Sequence, residues 1–121
     1  MKEKSKVSWN MTLCRFGLLV FVTTLQACDL AHVVTPVEMT HTAIGETFVR
    51  IDLYEEREGE VPKSLALLPI RAGHANQVTD GWGRLLVYTI TEEGALTLTS
   101  FGADGIVGGK GENADITRAE K

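Results

Sequence analysis

The chain has 121 residues and a formal net charge of −4, and hydrophobic residues make up 44% of it. That length allows one domain at most, and that apolar content excludes a wholly disordered chain. The first 27 residues carry a net charge of +3, which leaves −7 on the remainder. We therefore do not expect nucleic acid as a partner, because so acidic a domain would approach phosphates against its own electrostatic field.

The N-terminal segment has the pattern of a bacterial secretion signal. Four basic residues precede an apolar run over residues 16–25: Lys2, Lys4, Lys6 and Arg15. The run is too short to span a bilayer of about 30 Å, but it has the length of a signal-peptide core. Residues 1–27 are therefore predicted to be a signal peptide.

The sequence Leu-Gln-Ala-Cys at residues 25–28 follows the apolar run and resembles a lipobox, the cleavage motif of bacterial lipoproteins. The resemblance implies that Cys28 becomes a lipidated first residue, that residues 28–35 form a short tether, and that the lipid holds the protein at a bacterial cell membrane, facing the periplasm. Asp29 in the second mature position favours the inner over the outer membrane under the sorting rule of enteric bacteria. The alternative is an ordinary signal peptide or an uncleaved anchor.

A helix is predicted at the start of the mature domain, which we place at residues 36–121. Thr35 can serve as N-cap, Pro36 suits the first helical position, and Glu38 completes a capping box. Gly59 and Pro62 are expected to end the helix. Apolar residues at helical spacing predict one buried stripe, made of Val37, Ile44, Phe48, Ile51 and Tyr54. Polar residues between them are expected to face water, namely Glu46, Arg50, Glu55, Glu56 and Arg57.

A turn and a hairpin are predicted further along the chain. Asp-Gly-Trp-Gly-Arg at residues 80–84 is typical of a turn, and we expect it to deliver Trp82 into the core. Residues 85–91 and 95–99 are rich in strand-forming side chains, and they flank Glu-Glu-Gly at 92–94. Two such runs around a short turn predict a β-hairpin.

Residues 101–116 contain five glycines and three acidic side chains, with no helix or strand period. Ordering this stretch costs on the order of 15–30 kcal/mol of backbone entropy, and its few apolar side chains can offset only part of that. Carboxylates, together with carbonyls that glycines turn inward, are the oxygen ligands that calcium requires. Composition alone leaves two alternatives, a calcium-binding loop and a disordered glycine-rich tail.

Three segments resemble one protein family. They are Ser-Phe-Gly-Ala-Asp-Gly at 100–105 with Gly-Glu-Asn-Ala-Asp-Ile at 111–116, the turn at 80–84, and Leu53-Tyr54 followed by Gly59 and Pro62. These segments are similar to the C-terminal domain of the major (G-type) pseudopilin of bacterial type II secretion systems, over about residues 44–118. The resemblance implies an α+β fold, in which an N-terminal helix packs on a small antiparallel sheet and a long loop binds a metal ion.

The same resemblance implies that the ion is a structural calcium. We expect Asp104 to be the best side-chain ligand, with Asp115 or Glu112 as the second. Backbone carbonyls near Ser100 and Ile106 are expected to complete the coordination shell.

No catalytic motif accompanies the loop. Asp104 stands where a phosphate-binding P-loop ending at Lys110 would need its first glycine, and no nucleophile elbow is present. The three histidines lack the paired spacing of zinc ligands. We therefore expect no enzymatic activity, although a small hydrolase using Asp104 and Asp115 is a further hypothesis.

These inferences predict a membrane-anchored periplasmic lipoprotein with a calcium-stabilised, pseudopilin-like domain. Its expected role is structural or interaction-based, in or beside a type II secretion system, with secretion-system or pseudopilin proteins as partners. Filament-forming pseudopilins begin with a prepilin-peptidase site and a long apolar helix, whereas a lipobox occupies that place here. The alternative is a stand-alone periplasmic binding or inhibitor module that reuses the fold.

Overall fold

The computed structural model describes residues 33–121, so the predicted signal peptide (1–27) and Cys28 lie outside the described residues. A helix, α1 (Pro36–Glu58), comes first and is followed by a short 3-10 turn at Leu65–Leu67. Strands β1 (Val87–Ile90) and β2 (Leu96–Ser100) come next, and a second 3-10 turn (Gly111–Asn113) precedes β3 (Ile116–Glu120). The predicted α+β fold is confirmed over this part of the chain.

Both ends of α1 form as their sequence signals predict. The hydroxyl of Thr35 accepts the backbone N–H of Glu38 at 3.2 Å, and the Glu38 carboxylate accepts the N–H of Thr35 at 2.8 Å. This capping box satisfies amide groups that the first helical turn leaves without partners. Gly59 ends the helix in the left-handed conformation, with φ of 76°, and donates its N–H to the carbonyl of Glu55.

The apolar stripe of α1 faces the sheet, with one charged residue beside it. Ile44, Phe48 and Ile51 are buried, as predicted. Arg50 was expected to face water, and this expectation is wrong, because its side chain is buried too, at 5% exposure. Its guanidinium donates to the carbonyls of three residues in the segment that folds over it: Leu68, Pro69 and Asn76. These hydrogen bonds offset the cost of burying a charge.

The environment of Arg50 also affects its pKa. Burial lowers the pKa of the guanidinium from its ordinary value, and the nearby negative charge of Glu46 opposes that change. Glu46 itself is half-buried and pairs with Arg71 in the same overlying segment.

The three strands form one antiparallel sheet in the order β1-β2-β3. The predicted hairpin is confirmed as β1 and β2, joined through a turn in which Thr91 donates its N–H to the carbonyl of Ala95 at 2.8 Å. Strand β3 pairs with the other side of β2, in a register that places Arg118 opposite Leu98. The Arg118 guanidinium lies over the Phe48 ring at 5.4 Å, which ties this edge strand to α1.

The core lies between α1 and the inner face of β2. Leu96 and Leu98 pack there with the buried residues of the helix, and Leu68 and Leu86 from the connecting segments close the cluster. Within residues 33–121, no helix has both the length and the apolar character needed to cross a membrane.

Candidate metal-binding loop

The glycine-rich loop runs from residue 101 to residue 115, between β2 and β3, and its two limbs pack backbone against backbone. The N–H of Ala103 donates to the carbonyl of Glu112 at 2.8 Å across the loop. A Cβ atom on Gly102 would lie 2.6 Å from the carbonyl carbon of Asn113, and one on Gly109 would lie 2.5 Å from the Asn113 oxygen. Side chains are therefore excluded where the limbs meet, which explains the glycines at 102 and 109.

The two aspartates predicted as ligands both bind amides of this loop. One oxygen of Asp104 accepts the N–H of Ile106 at 3.0 Å, and both oxygens of Asp115 accept the N–H of Gly108 at 3.0 Å. Both side chains are exposed. A carboxylate offers roughly four acceptor positions, so these bonds leave capacity for a cation or water.

The other three predicted ligands differ from the aspartates. The Ser100 hydroxyl is buried at 2% exposure, donates to Asp80 at 2.7 Å and accepts the N–H of Gly102 at 3.3 Å, so it belongs to the base of the loop. Glu112 has an exposed side chain, and its carbonyl accepts the N–H of Ala103 and so helps to close the loop. Ile106 is exposed, and its N–H donates to Asp104.

The donor chemistry of the loop suits a hard cation. In the part of the chain that the structure describes, no three Asp, Glu, His or Cys side chains lie together closely enough to hold a metal ion. A site in the loop therefore has to combine one or two carboxylates with backbone carbonyls and water. Calcium accepts such an all-oxygen shell, whereas a structural zinc site requires clustered cysteine and histidine ligands.

The turn at 80–84 lies beside the loop and contributes a buried carboxylate that sequence reasoning missed. Asp80 is 6% exposed, and its oxygens accept the N–H groups of Trp82 and Arg84 and the hydroxyl of Ser100. Trp82 itself is only half-buried and is not among the core residues, so its predicted delivery into the core is wrong. The group that this turn directs inward is Asp80.

Gly81 fixes the same turn against the start of α1. A Cβ atom on Gly81 would lie 2.0 Å from the carbonyl oxygen of Pro36, so no other residue fits without moving the backbone. The N–H of Gly81 donates to the hydroxyl of Thr40 at 2.8 Å, and that hydroxyl donates to the Pro36 carbonyl.

Arg84 is the second residue that sequence reasoning missed as a site residue. Its two terminal nitrogens donate to the carbonyls of Gly102 at 2.8 Å and Ala103 at 2.7 Å, directly before Asp104. A Cβ atom on Gly105 would lie 2.8 Å from its Nε atom, so this glycine makes room for the guanidinium. Because the partners lie 18 and 19 residues further along the chain, no local pattern could have pointed to Arg84.

An open cavity of about 500 Å³ lies away from this loop, between α1 and residues 73–77. Its lining includes Val34, Met39 and Glu46, and it contains none of the predicted ligands. The cavity therefore adds nothing to the candidate metal site.

Comparison with known protein families gives one result for the chain. The family described as type II secretion system protein G matches residues 36–119, a range that runs from the first residue of α1 to the penultimate residue of β3. The search of curated proteins found no match.

Proposed function

Because the chain belongs to the family of type II secretion system protein G, the pseudopilins, we propose that it has a structural role in or beside a type II secretion machine. The family match carries this proposal, and it confirms the resemblance found in the sequence. Members of this family are structural components of a secretion system rather than enzymes, which agrees with the lack of catalytic motifs in the sequence. The expected partners are other secretion-system components.

We further propose that the domain is held at the membrane by a lipid on Cys28. The sequence Leu-Gln-Ala-Cys at 25–28 supports this proposal. Because α1 starts at Pro36, the tether that follows Cys28 would be short. A tether that ends at Thr35 would keep the domain close to the membrane surface, facing the periplasm. Asp29 favours the inner membrane.

The loop between β2 and β3 is proposed to bind a structural calcium ion through Asp104 and Asp115. The support is that both carboxylates already accept amides of this loop and keep further acceptor capacity. Asp115 is preferred to Glu112 because the N–H of Gly108 already holds the Asp115 carboxylate within the loop. A bound calcium would supply charge that neutralises the carboxylates, and its binding free energy would add to the stability of the fold.

Thermal unfolding of the full-length protein in mild detergent tests the calcium site. With calcium at about 100 times its dissociation constant, the stability gain is about 2.7 kcal/mol, which for a domain this small is a rise in Tm on the order of ten degrees over the same protein in EGTA. Asp104→Asn should abolish the rise, whereas Glu93→Gln, which removes an exposed carboxylate in the hairpin turn, should retain it. Identical curves in calcium and EGTA would contradict the proposal.

Gene deletion in the bacterium that produces the protein tests the secretion role. We expect the amount of exported type II substrate to change, and to return to normal with the wild-type chain but not with Cys28→Ala. Unchanged export would contradict the role in secretion. Recovery of this chain within purified pseudopilus fibres would contradict its placement as a lipoprotein beside the filament.

A further inference from the structure

The 80–84 turn holds the first limb of the 101–115 loop through two sets of contacts. In the first set, the Asp80 carboxylate accepts the Ser100 hydroxyl, which in turn accepts the N–H of Gly102. In the second set, the Arg84 guanidinium donates to the carbonyls of Gly102 and Ala103. The N–H of Gly102 and the carbonyls of Gly102 and Ala103, which lead into Asp104, are therefore fixed by residues outside the loop.

The chemistry of Arg84 suits this task. A guanidinium stays charged at any physiological pH and presents its donors in a rigid planar fork, so it can hold two adjacent carbonyls at once. Hydrogen bonds from a charged donor are also stronger than neutral ones. Lysine has the same charge on a compact ammonium group and lacks this fork.

We propose that Arg84 is a positioning residue, which holds the 101–105 limb in its closed, binding-competent form in the absence of a metal ion. Asp80 acts with it by fixing the Arg84 backbone through the Arg84 N–H, at 2.9 Å. The loop would then not need calcium in order to become ordered. Calcium would then bind a limb that is already in place. The apparent affinity of the protein for calcium would be close to that of the closed loop, because few molecules would have the loop open. This last step rests on the proposed calcium site. The clamp, by which we mean the hydrogen bonds from Arg84 to the carbonyls of Gly102 and Ala103, does not.

Hydrogen–deuterium exchange of the full-length protein in EGTA tests the clamp directly. The informative amides are those of Gly102, Ala103 and Asn113, which donate within the loop or at its base. In Arg84→Gln and in Arg84→Lys we expect these amides to exchange about tenfold faster or more, with exchange in α1 unchanged. Arg57→Gln is the matched control, because it removes an exposed arginine that pairs with Glu58 on the helix.

The outcomes separate the clamp from the calcium site. Loop exchange that is equal in the wild type and in Arg84→Gln would overturn the clamp, whatever calcium does. Wild-type protection in Arg84→Lys would overturn the role of the fork and leave only the role of the charge. If Arg84→Gln fails to fold, the lysine variant, which keeps the charge and the aliphatic stem, decides the question.

A calcium titration of the same variants tests the step that depends on the proposed site. We expect Arg84→Gln to bind calcium severalfold more weakly than the wild type, and saturating calcium to restore slow exchange in its loop. Equal or tighter binding by Arg84→Gln would overturn the link between the clamp and calcium affinity. No binding by the wild type would refute the calcium site while the exchange result in EGTA still stands.

Discussion

Two segments without strands or α-helix, residues 68–77 and residues 101–115, are each held by one arginine that donates to backbone carbonyls. Arg50 reaches the first segment from inside the domain, is 5% exposed and binds three carbonyls. Arg84 reaches the second segment from the surface, is exposed and binds two. In both segments a guanidinium donates to backbone carbonyls, but one guanidinium is buried and the other is exposed.

Because the two arginines differ in burial, removing them has different consequences. Water cannot replace a buried guanidinium, so the carbonyls around Arg50 would lose their partners if it were removed. Arg84 is exposed, and water can take its place at the Ala103 carbonyl, where its hydrogen bond is exposed. The 68–77 segment is therefore held from the interior of the domain, whereas the 101–115 loop is held by an exposed side chain.

The largest effect is expected from Arg50→Met, which keeps much of the side-chain volume and removes the donors. Each buried acceptor left unsatisfied costs about 1–3 kcal/mol, so the free energy of unfolding should fall by about 3 kcal/mol or more. Arg84→Met should cost less, about 1–2 kcal/mol, because water can reach the Ala103 carbonyl although Gly102 is buried. Denaturant unfolding of both variants measures the difference, and equal losses would refute the contrast between the two arginines.

A smaller effect is expected from Gly102→Ala, which tests the close packing of the loop limbs. Gly102 and Gly111 have nearly the same backbone conformation, with φ of 65° and 61°, so alanine costs about 1–2 kcal/mol at either position. Only at Gly102 would the new Cβ also meet the Asn113 backbone, at 2.6 Å, whereas nothing lies within 4 Å of one on Gly111. We expect Gly102→Ala to lose at least about 1 kcal/mol more than Gly111→Ala in urea unfolding. Equal losses would mean that the limbs can separate without cost.

The smallest effect is expected from Glu46→Gln on α1, which removes the partner of Arg71 in the segment held by Arg50. Glu46 pairs with Arg71, and both side chains keep about a quarter of their exposure, at 22% and 26%. Such a partly exposed ion pair contributes about 0.5–1 kcal/mol, and less in high salt. Glu58→Gln removes the partner of Arg57 in a more exposed ion pair, and it should cost less still. An effect as large as that of Arg50→Met would show that the ion pair, rather than the buried guanidinium, holds the segment.

Sequence reasoning succeeded where a structure is specified by neighbouring residues. Thr35, Glu38 and Gly59 define the ends of α1 within a few positions, and the 92–94 turn defines the hairpin in the same way. Strand β3 was not predicted, because two of its five residues are charged and its composition is not typical of a strand. It forms because it pairs with β2. The α+β fold could therefore be predicted, although one edge of its sheet could not.

The candidate site was predictable only in part, because its supports lie far away in the sequence. Asp104 and Asp115 stand out locally as oxygen donors among glycines, and both do bind amides of the loop. Asp80 and Arg84 act on groups between 18 and 20 residues away. Arg50 was misassigned to the surface for the same reason, since its partners lie 18 to 26 residues further along the chain.

The contact between Gly81 and the first turn of α1 has a mechanical consequence. Pro36 and Thr40 touch the same turn that supports the loop through Asp80. A pulling force on the chain that enters α1 would therefore be shared between the apolar core and this turn. In a machine that moves other proteins, the load that the domain withstands would depend on a glycine that cannot acquire a side chain.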